Sequence, residues 1–205
     1  RATSISDNTL VTFVHVPSQQ GTVSYVGISS DNGSSWTTGS LGFDKSSMHY
    51  ISDASFNGAN GFFVGTYYMR SGIFLYKSSD SGKNWNFVSS KTDKISPKSI
   101  HTIDSNDFVV VGSRDVLGDA RVVDWTGGFL MTNSGDITNF DHVLNHISGP
   151  TNYNTGVNNE MIAVGNGGKI FRIKLNYPAE VISPTSPIKP TTTYNISLAI
   201  NNFIN

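Results

Sequence analysis

An eight-residue motif that occurs twice constrains this chain more than any other feature of its sequence. Residues 29–36 read Ser-Ser-Asp-Asn-Gly-Ser-Ser-Trp, and residues 78–85 read Ser-Ser-Asp-Ser-Gly-Lys-Asn-Trp. Both fit the pattern S-x-D-x-G-x-x-W, they begin 49 residues apart, and each follows a short apolar segment typical of a β-strand. A spacing of this size indicates a fold built from repeated supersecondary units.

Weaker copies extend the repeat through the chain. Residues 129–135 resemble the motif without its Asp, unless Asn133 takes that place, and Phe140 stands where the aromatic residue is expected. Residues 163–172 keep only the strand. The strand before each copy also recurs and ends in Val-Gly, at Gly65, Gly112 and Gly165. The sequence therefore predicts about four repeats of about 50 residues.

Short runs rich in Val, Ile, Phe and Tyr alternate with turn residues and predict an all-β chain. The exception is the segment 137–146, which favours a helix of about two to three turns. His142 and His146 would then share one helix face. That pair is either a two-histidine metal clip or two ordinary polar positions.

The motif has the chemistry of a tight turn. An Asp side chain accepts hydrogen bonds from backbone N–H groups of its own turn, and a Gly two residues later supplies a positive φ. The Trp is then expected to fold back as an apolar anchor between neighbouring repeats. Calcium binding is the alternative, although no acidic residue stands at the twelfth position counted from Asp31, where a calcium loop needs one.

Residues 29–36 and 78–85 resemble Asp-box motifs, or BNR repeats, of sialidases, sortilin-like receptors, photosystem-assembly factors and several glycoside hydrolases and lectins. The resemblance covers roughly residues 8–176 and implies a β-propeller of four-stranded blades. In that family the box joins the third and fourth strands of a blade, on the face away from the active site. The fold hosts enzymes, lectins and scaffolds alike. The box residues are Ser29, Asp31, Gly33, Trp36, Ser78, Asp80, Gly82 and Trp85.

Four repeats do not determine whether such a propeller closes into a ring. Propellers have typically 4–8 blades, and the fourth repeat is incomplete after Ile173. The chain is therefore a small four-bladed propeller, a fragment of a larger one, or an open array whose edges are covered by other copies. The fragment and the oligomer are favoured over the closed ring.

The chain changes character after the repeats, which occupy residues 1–176. Residues 177–193 hold four of the seven prolines and many Ser and Thr, and are expected to form an extended linker. Residues 194–205 alternate apolar and polar side chains, which predicts a strand-like tail. The tail either lies on the domain or adds a strand to its own sheet or to a neighbour's edge.

The composition of the chain limits the classes of partner and cofactor that are expected. Lys and Arg number 14 against 15 Asp and Glu, so nucleic acid and anionic membranes are not expected as partners. No apolar run approaches the roughly 20 residues of a membrane span. Cys is absent, and no phosphate- or dinucleotide-binding fingerprint is present, so no cofactor is expected. The surface, poor in charge and rich in Ser, Thr and Asn, favours an extracellular, cell-surface or virion-surface location.

Catalysis is the less favoured interpretation, and no catalytic or metal-binding residue is assigned. A sialidase site needs a Tyr–Glu pair, and neither Glu160 nor Glu180 has an evident Tyr partner. Another glycoside hydrolase needs only two carboxylates about 5–10 Å apart. The alternative for the aspartates of the third repeat is a solvated loop with surface ion pairs. The candidates are Asp104, Asp107, Asp115, Asp119, Asp124 and Asp136.

Aromatic and charged side chains near strand ends form a candidate ligand site. Carbohydrate sites combine an aromatic platform with polar groups, and loops at one propeller face could supply both. Tyr50, Trp125 and Tyr153 also lie near strand ends, although such rings could instead pack between blades. The predicted ligand-binding residues are Tyr67, Tyr68, Arg70, Arg114, Asp119 and Arg121.

These observations predict a non-catalytic recognition module that binds a glycan or a protein and forms a homo-oligomer or larger assembly. One alternative is a structural assembly subunit joined through its C-terminal strand. The other is a fragment of a sialidase-like glycoside hydrolase.

Overall fold

The chain forms four antiparallel four-stranded sheets that follow one another along the sequence. A computed structural model describes residues 2–4, 8–18, 21–41, 49–67, 72–91, 94–115, 126–149, 160–176 and 195–200. Sheet 1 contains β1 (Ala2–Ser4), β2 (Leu10–Ser18), β3 (Gly21–Ser29) and β4 (Thr37–Gly39). Sheet 2 contains β5 (His49–Asn57), β6 (Asn60–Tyr67), β7 (Ile73–Ser78) and β8 (Asn86–Lys91). Sheet 3 contains β9 (Ile95–Thr102), β10 (Phe108–Arg114), β11 (Gly127–Thr132) and β12 (Ile137–Phe140). Sheet 4 contains β13 (Leu144–Ser148), β14 (Glu160–Gly165), β15 (Ile170–Asn176) and β16 (Asn195–Ile200).

In every sheet, consecutive strands of the chain are neighbours, so each sheet is one repeat folded as a meander. The all-β prediction and the four repeats are confirmed. The recurring Val-Gly pairs lie near the ends of the second strands of sheets 2, 3 and 4. Within the described residues, no helix is long and apolar enough to cross a membrane.

The recurring glycine marks a close approach between the first and second strands of a sheet. A Cβ at Gly65 would lie 2.2 Å from the Tyr50 carbonyl oxygen and 2.4 Å from a ring atom of Phe74. A Cβ at Gly112 would lie 2.7 Å from a ring atom of Phe129. The aromatic ring of the third strand therefore occupies the space that a side chain would need, which explains why the repeat keeps a glycine there.

Three hydrophobic clusters fill the spaces between successive sheets. They join sheet 1 to sheet 2, sheet 2 to sheet 3, and sheet 3 to sheet 4. Strand alternation lets one strand serve two clusters: Phe63 of β6 faces sheet 1, whereas Phe62 and Val64 face sheet 3. Among the described residues, no cluster joins sheet 4 back to sheet 1. The sheets therefore form a row with three packed interfaces.

The two motif tryptophans have different surroundings. Trp85 is 1% exposed, and its ring centroid lies 4.7 Å from that of Phe63 and 5.8 Å from that of Phe13, between sheets 1 and 2. Trp36 covers Gly27 on the other side of sheet 1 and is 46% exposed. The anchor role expected of both side chains is filled by Trp85. Trp36 lies on a face against which no described sheet packs.

The helix predicted for residues 137–146 is wrong. This segment forms β12, a turn and the start of β13. β12 pairs with β11, and Phe140 and Leu144 are buried in the cluster between sheets 3 and 4. Pairing with β11 and burial against sheet 4 override the weak local helix pattern. His142 and His146 therefore share no helix face: His142 lies in the turn before β13, and His146 lies on β13.

The chain's own C-terminal segment completes sheet 4. β16 pairs antiparallel with β15, so the fourth repeat does not stop at Ile173 as the sequence suggested. Because β16 is the edge strand of sheet 4, assembly through this strand, one of the alternative functions, would use its outer edge or require it to leave the sheet. The expected linker, residues 177–193, lies outside the described residues.

We expect Trp85→Ala to lower the free energy of unfolding by about 3–5 kcal/mol, because it removes a fully buried indole from the space between sheets 1 and 2. Trp36→Ala is the matched control and should cost less, because that ring is 46% exposed. Urea unfolding followed by circular dichroism at low protein concentration measures both. Equal losses would contradict the difference in burial.

Candidate functional site

The first eight-residue motif forms a hydrogen-bonded turn between the third and fourth strands of sheet 1. Ser29 Oγ donates to Asp31 Oδ1 at 2.7 Å and accepts from Gly33 N at 2.7 Å. Ser35 donates to the same carboxylate twice, from its backbone N at 2.8 Å and from its Oγ at 2.6 Å. Gly33 has φ +86, as this turn requires.

The second motif repeats the carboxylate hydrogen bonds of this turn in sheet 2. Ser78 Oγ donates to Asp80 Oδ1 at 2.8 Å and accepts from Gly82 N at 2.9 Å. Asn84 takes the place of Ser35 and donates its backbone N at 2.9 Å and its Nδ2 at 2.7 Å to Asp80. The seventh motif position therefore needs only a short side chain with a donor.

Each motif also holds its sheet's first hairpin. Asn32 and Ser81 adopt φ +56 and +59, a left-handed conformation rare outside glycine. Their backbone N–H groups donate to Asn8 O at 3.1 Å and Ala59 O at 2.9 Å, in the turns between the first and second strands. This edge of the sheets, called the motif end below, is thus cross-linked by backbone hydrogen bonds.

The turns keep both carboxylates ionised. Hydrogen bonds from Ser35 and then Ser29 lower the pKa of Asp31 to about 2. Burial opposes ionisation of Asp80, but hydrogen bonds from Asn84 and Ser78 hold its pKa below the usual value. Both oxygens of each carboxylate accept hydrogen bonds within the turn, which is the geometry of a structural turn and not of a calcium loop. Among the described residues, no group of three or more His, Asp or Glu side chains could hold a metal ion.

The third, degenerate copy makes a shorter turn. Gly135, at φ +80, donates its N–H to Thr132 O at 2.9 Å. Ser134 Oγ donates to Asp136 Oδ2 at 2.9 Å, so Asp136 and not Asn133 supplies the carboxylate. Asn133 instead donates to Asp107.

Two of the predicted ligand-binding residues, Tyr67 and Arg114, lie at the opposite edge of the sheets, called the loop end below. There β6 ends at Tyr67 and β10 ends at Arg114. The structure describes the backbone of Tyr67 and the partly buried side chain of Arg114. Four of the predicted residues, and the further aromatics Trp125 and Tyr153, lie outside the described residues: Tyr68, Arg70, Asp119 and Arg121. Their role stays a prediction.

Sheets 2 and 3 are hydrogen-bonded to each other at the loop end. Gly72 N, which precedes β7, donates to Ile95 O of β9 at 2.9 Å. Beside it, within sheet 3, Asp115 N, which follows β10, donates to Lys94 O at 3.0 Å, and the Asp115 carboxylate lies 3.2 Å from Lys94 Nζ. The segments 68–71 and 116–125 therefore begin or end at neighbouring points of one edge.

An exposed aromatic ring is fixed at the loop end between sheets 1 and 2. Tyr50 is 49% exposed and stacks on His15 with ring centroids 4.4 Å apart and an interplanar angle of 9°. His15 Nε2 lies 3.1 Å from the Ile51 carbonyl oxygen, and Nδ1 lies 2.8 Å from Ser24 Oγ. Because a carbonyl only accepts, Nε2 carries the proton and Nδ1 accepts from Ser24. Burial lowers the pKa of His15, although its hydrogen bond to Ile51 opposes the shift.

A polar ladder crosses the first strands of sheets 2, 3 and 4 at mid-height. Ser99 Oγ donates to Asp53 Oδ2 at 2.8 Å and lies 3.0 Å from His146 Nδ1. Because the Ser99 proton points to Asp53, His146 Nδ1 carries the proton and donates to Ser99. The three residues are 46 and 47 positions apart in the sequence, the length of the repeat.

The ladder contains the three residue types of a hydrolytic triad, but the order of its groups differs and its hydroxyl is not accessible to a substrate. The hydroxyl stands between the carboxylate and the imidazole, whereas nucleophile activation requires the imidazole in the middle. Ser99 is fully buried, and its Oγ also accepts from Ile147 N at 3.4 Å. Ile100 N donates to Asp53 at 3.2 Å. The arrangement joins three sheets and offers no accessible nucleophile.

The aspartates of the third repeat do not form one site. Asp104, Asp107 and Asp136 lie at the motif end, while Asp115 lies at the loop end. The seven residues of β10 separate Asp107 from Asp115, roughly 25 Å at the rise of a strand. That distance exceeds the separation of a glycosidase carboxylate pair. Asp119 and Asp124 lie outside the described residues.

Comparison with known proteins identifies the architecture. No family model matches the chain, and no curated protein matches it. Among solved structures, an ancestral GH74 enzyme superposes with a TM-score of 0.60 at 13% identity, over 94% of this chain and 26% of that one. The chain has the β-propeller fold. Its four sheets are propeller blades, and they span about a quarter of the length of that enzyme.

Two further structures give TM-scores of 0.43. One is YCF48 bound to D1 peptide, at 15% identity over 82% of this chain and 60% of that one. The other is a protein of unknown function from Dyadobacter fermentans, at 13% identity over 97% of this chain and 52% of that one. At such low identities, none of the three structures transfers an activity to this chain.

Sequence reasoning missed the ladder and the Tyr50–His15 stack. No motif in the sequence marks Asp53 or Ser99, and the helix expected for residues 137–146 places His146 beside His142 instead. A search for polar residues at the repeat spacing would have found the ladder, because Asp53, Ser99 and His146 follow that spacing. No sequence signal places His15 against Tyr50, since that contact depends on the packing of two blades.

We expect Asp53→Ala to destabilise the fold by about 1–3 kcal/mol, because Ser99 Oγ and Ile100 N lose their shared acceptor in the interior. Asp53→Asn retains an acceptor oxygen and should lose less. Asp141→Ala, at an exposed carboxylate, is the control. Urea unfolding decides the order, and losses equal to that of the control would contradict the ladder.

We expect His15 to make the free energy of unfolding decrease as the pH is lowered. Its pKa is lowered in the folded chain, so the unfolded chain binds the extra proton between that pKa and the usual 6.5. The contribution of His15 is therefore fully present above pH 6.5 and declines as the pH falls below it. Unfolding free energies measured from pH 7.5 to 5 should show a steeper decline for the wild type than for His15→Gln. Parallel curves would contradict the shift.

Proposed function

We propose that this chain is a non-catalytic recognition module of an Asp-box β-propeller that binds a glycan at its loop end. The turns built on Asp31 and Asp80 support the Asp-box assignment, because both repeat one hydrogen-bond pattern between third and fourth strands. The proposal includes an extracellular, cell-surface or virion-surface location, which rests on composition alone.

The observation that carries the proposal is the exposed Tyr50 ring held flat against His15. A fixed, half-exposed aromatic face is the platform on which a sugar ring stacks, and its orientation is settled before the ligand arrives. His15 is itself held by two hydrogen bonds, so the platform resists rotation. The predicted residues Tyr67, Tyr68, Arg70, Arg114, Asp119 and Arg121 belong to segments that begin or end at this same edge.

The contrast between the two ends of the blades supports the loop end as the ligand site. At the motif end, the carboxylates and the hydroxyl groups of Ser29 and Ser78 are used within their own turns. Ligand contacts there would have to break hydrogen bonds that hold the blades. At the loop end, the described aromatic face is open.

A glycan-array screen of the purified chain tests the proposal, followed by titration of the best binder. Tyr50→Ala should weaken binding at least tenfold, and Tyr68→Ala tests the role predicted for the segment 68–71. Phe87→Ala is the matched control, because Phe87 is also an exposed aromatic, 54% exposed, but lies near the motif end.

Saturable binding that is lost in Tyr50→Ala and kept in Phe87→Ala would support a glycan-binding module. A blank array, or binding lost equally in both variants, would overturn it. Protein recognition would then replace glycan recognition as the working hypothesis.

A further inference from the structure

Each blade has two different faces, one towards the preceding blade and one towards the following blade. On the following face, a residue of the second strand pairs across with a residue of the third strand. These cross-strand pairs are apolar in all four blades: Phe13 with Val26, Val64 with Leu75, Val111 with Leu130, and Val164 with Ile170.

The fourth of these pairs is uncovered. The six side chains of the first three pairs are at most 9% exposed, because the next blade packs on them. Val164 is 39% exposed and Ile170 is 44% exposed, and Ile162 beside them is 50% exposed. Blade 4 therefore presents an exposed apolar patch of three side chains on its following face, beside the ion pair of Arg172 with Glu160 and with no described blade against it.

The preceding face of blade 1 is uncovered in the complementary way. In blade 2, Trp85 N donates to Ser40 O at 3.1 Å and Lys83 O accepts from Ser40 N at 2.9 Å, which ties the motif to the last strand of blade 1. Trp36 has the same position in blade 1, but no described residue accepts from its backbone N–H. Its indole is 46% exposed.

We propose that two copies of this chain associate head to tail, with the following face of blade 4 of each copy covering the preceding face of blade 1 of the other. The proposal is independent of the ligand at the loop end. It would repeat between chains the contact that the fold already makes three times within one chain.

The two uncovered faces are complementary in position. Val164 occupies in blade 4 the place of Phe13 in blade 1, and Trp36 occupies in blade 1 the place of Trp85 in blade 2. Since the Trp85 and Phe13 ring centroids lie 5.8 Å apart, Trp36 of one copy should contact Val164 of the other. Because one chain carries both halves of this contact, a second copy is the partner that supplies both missing faces.

Heterologous contacts form rings when the rotation closes. Two sets of the four described blades give eight, which lies within the typical range for propellers. The net charge of −1 adds little repulsion between copies.

Sedimentation velocity tests the association. The sedimentation of the wild type should correspond to twice the 22.2 kDa mass of one chain, and this dimer should dissociate on dilution. Val164→Asp and Ile170→Asp, each at an exposed position, should sediment as folded monomers with unchanged circular dichroism. Val88→Asp is the matched control, because Val88 is 45% exposed but lies on the outermost strand of blade 2, and it should remain dimeric.

Cysteine cross-linking tests the head-to-tail arrangement, and the chain has no cysteine of its own. Thr12 has the position in blade 1 that Phe63 has in blade 2, where Phe63 lies 5.5 Å from Phe13 between ring centroids. Packed sheets lie roughly 10 Å apart, which is too far for a direct disulfide. A chain carrying Thr12→Cys and Val164→Cys should therefore be linked into a covalent dimer by a short bismaleimide cross-linker that spans this distance. Each single variant alone should stay unlinked.

A wild-type chain that stays monomeric at its highest soluble concentration would overturn the proposal, and a blade of another chain would then be the candidate for these faces. A single-cysteine variant that cross-links to itself would also overturn it, because it would show a like-with-like contact. A Val164→Asp chain that remains dimeric would place the interface elsewhere.

Discussion

The packing of one sheet on the next is the interaction on which the rest of this structure depends. A four-stranded sheet with apolar residues on both faces cannot bury them alone, and each of the first three blades covers one face with its successor. Trp85 fills the first of these spaces, and the glycines at positions 65 and 112 let the rings of the third strands lie close to the second. Stability therefore increases with each interface.

Polar contacts keep these apolar interfaces in register. The motif turns fix each hairpin through a carboxylate whose hydrogen bonds all lie within eight residues. The ladder from Asp53 through Ser99 to His146 joins the first strands of three blades, where purely apolar contacts would allow sliding. Local and long-range hydrogen bonds thus have separate tasks: the first shape the blade, and the second align the blades.

The two ends of the blades differ in how their polar groups are used. The motif end uses its polar groups internally, whereas the loop end holds the exposed Tyr50 face and the starting points of two segments with candidate residues. The proposed ligand would therefore meet the loop end, away from the hydrogen bonds of the motif turns.

The sequence by itself determined the repeat, the all-β class and the motif turns, because a turn such as that of Asp31 is satisfied by residues within a few positions of it. Residues 137–146 form strands and not the expected helix because of tertiary contacts. Pairing with β11 and burial in the cluster around Leu144 stabilise the strand conformation there. The ladder, the His15–Tyr50 stack and the contrast between Trp85 and Trp36 also needed the tertiary structure. Each depends on which sheet faces which, because residues such as Asp53 and Ser99, 46 positions apart, meet only when sheets pack.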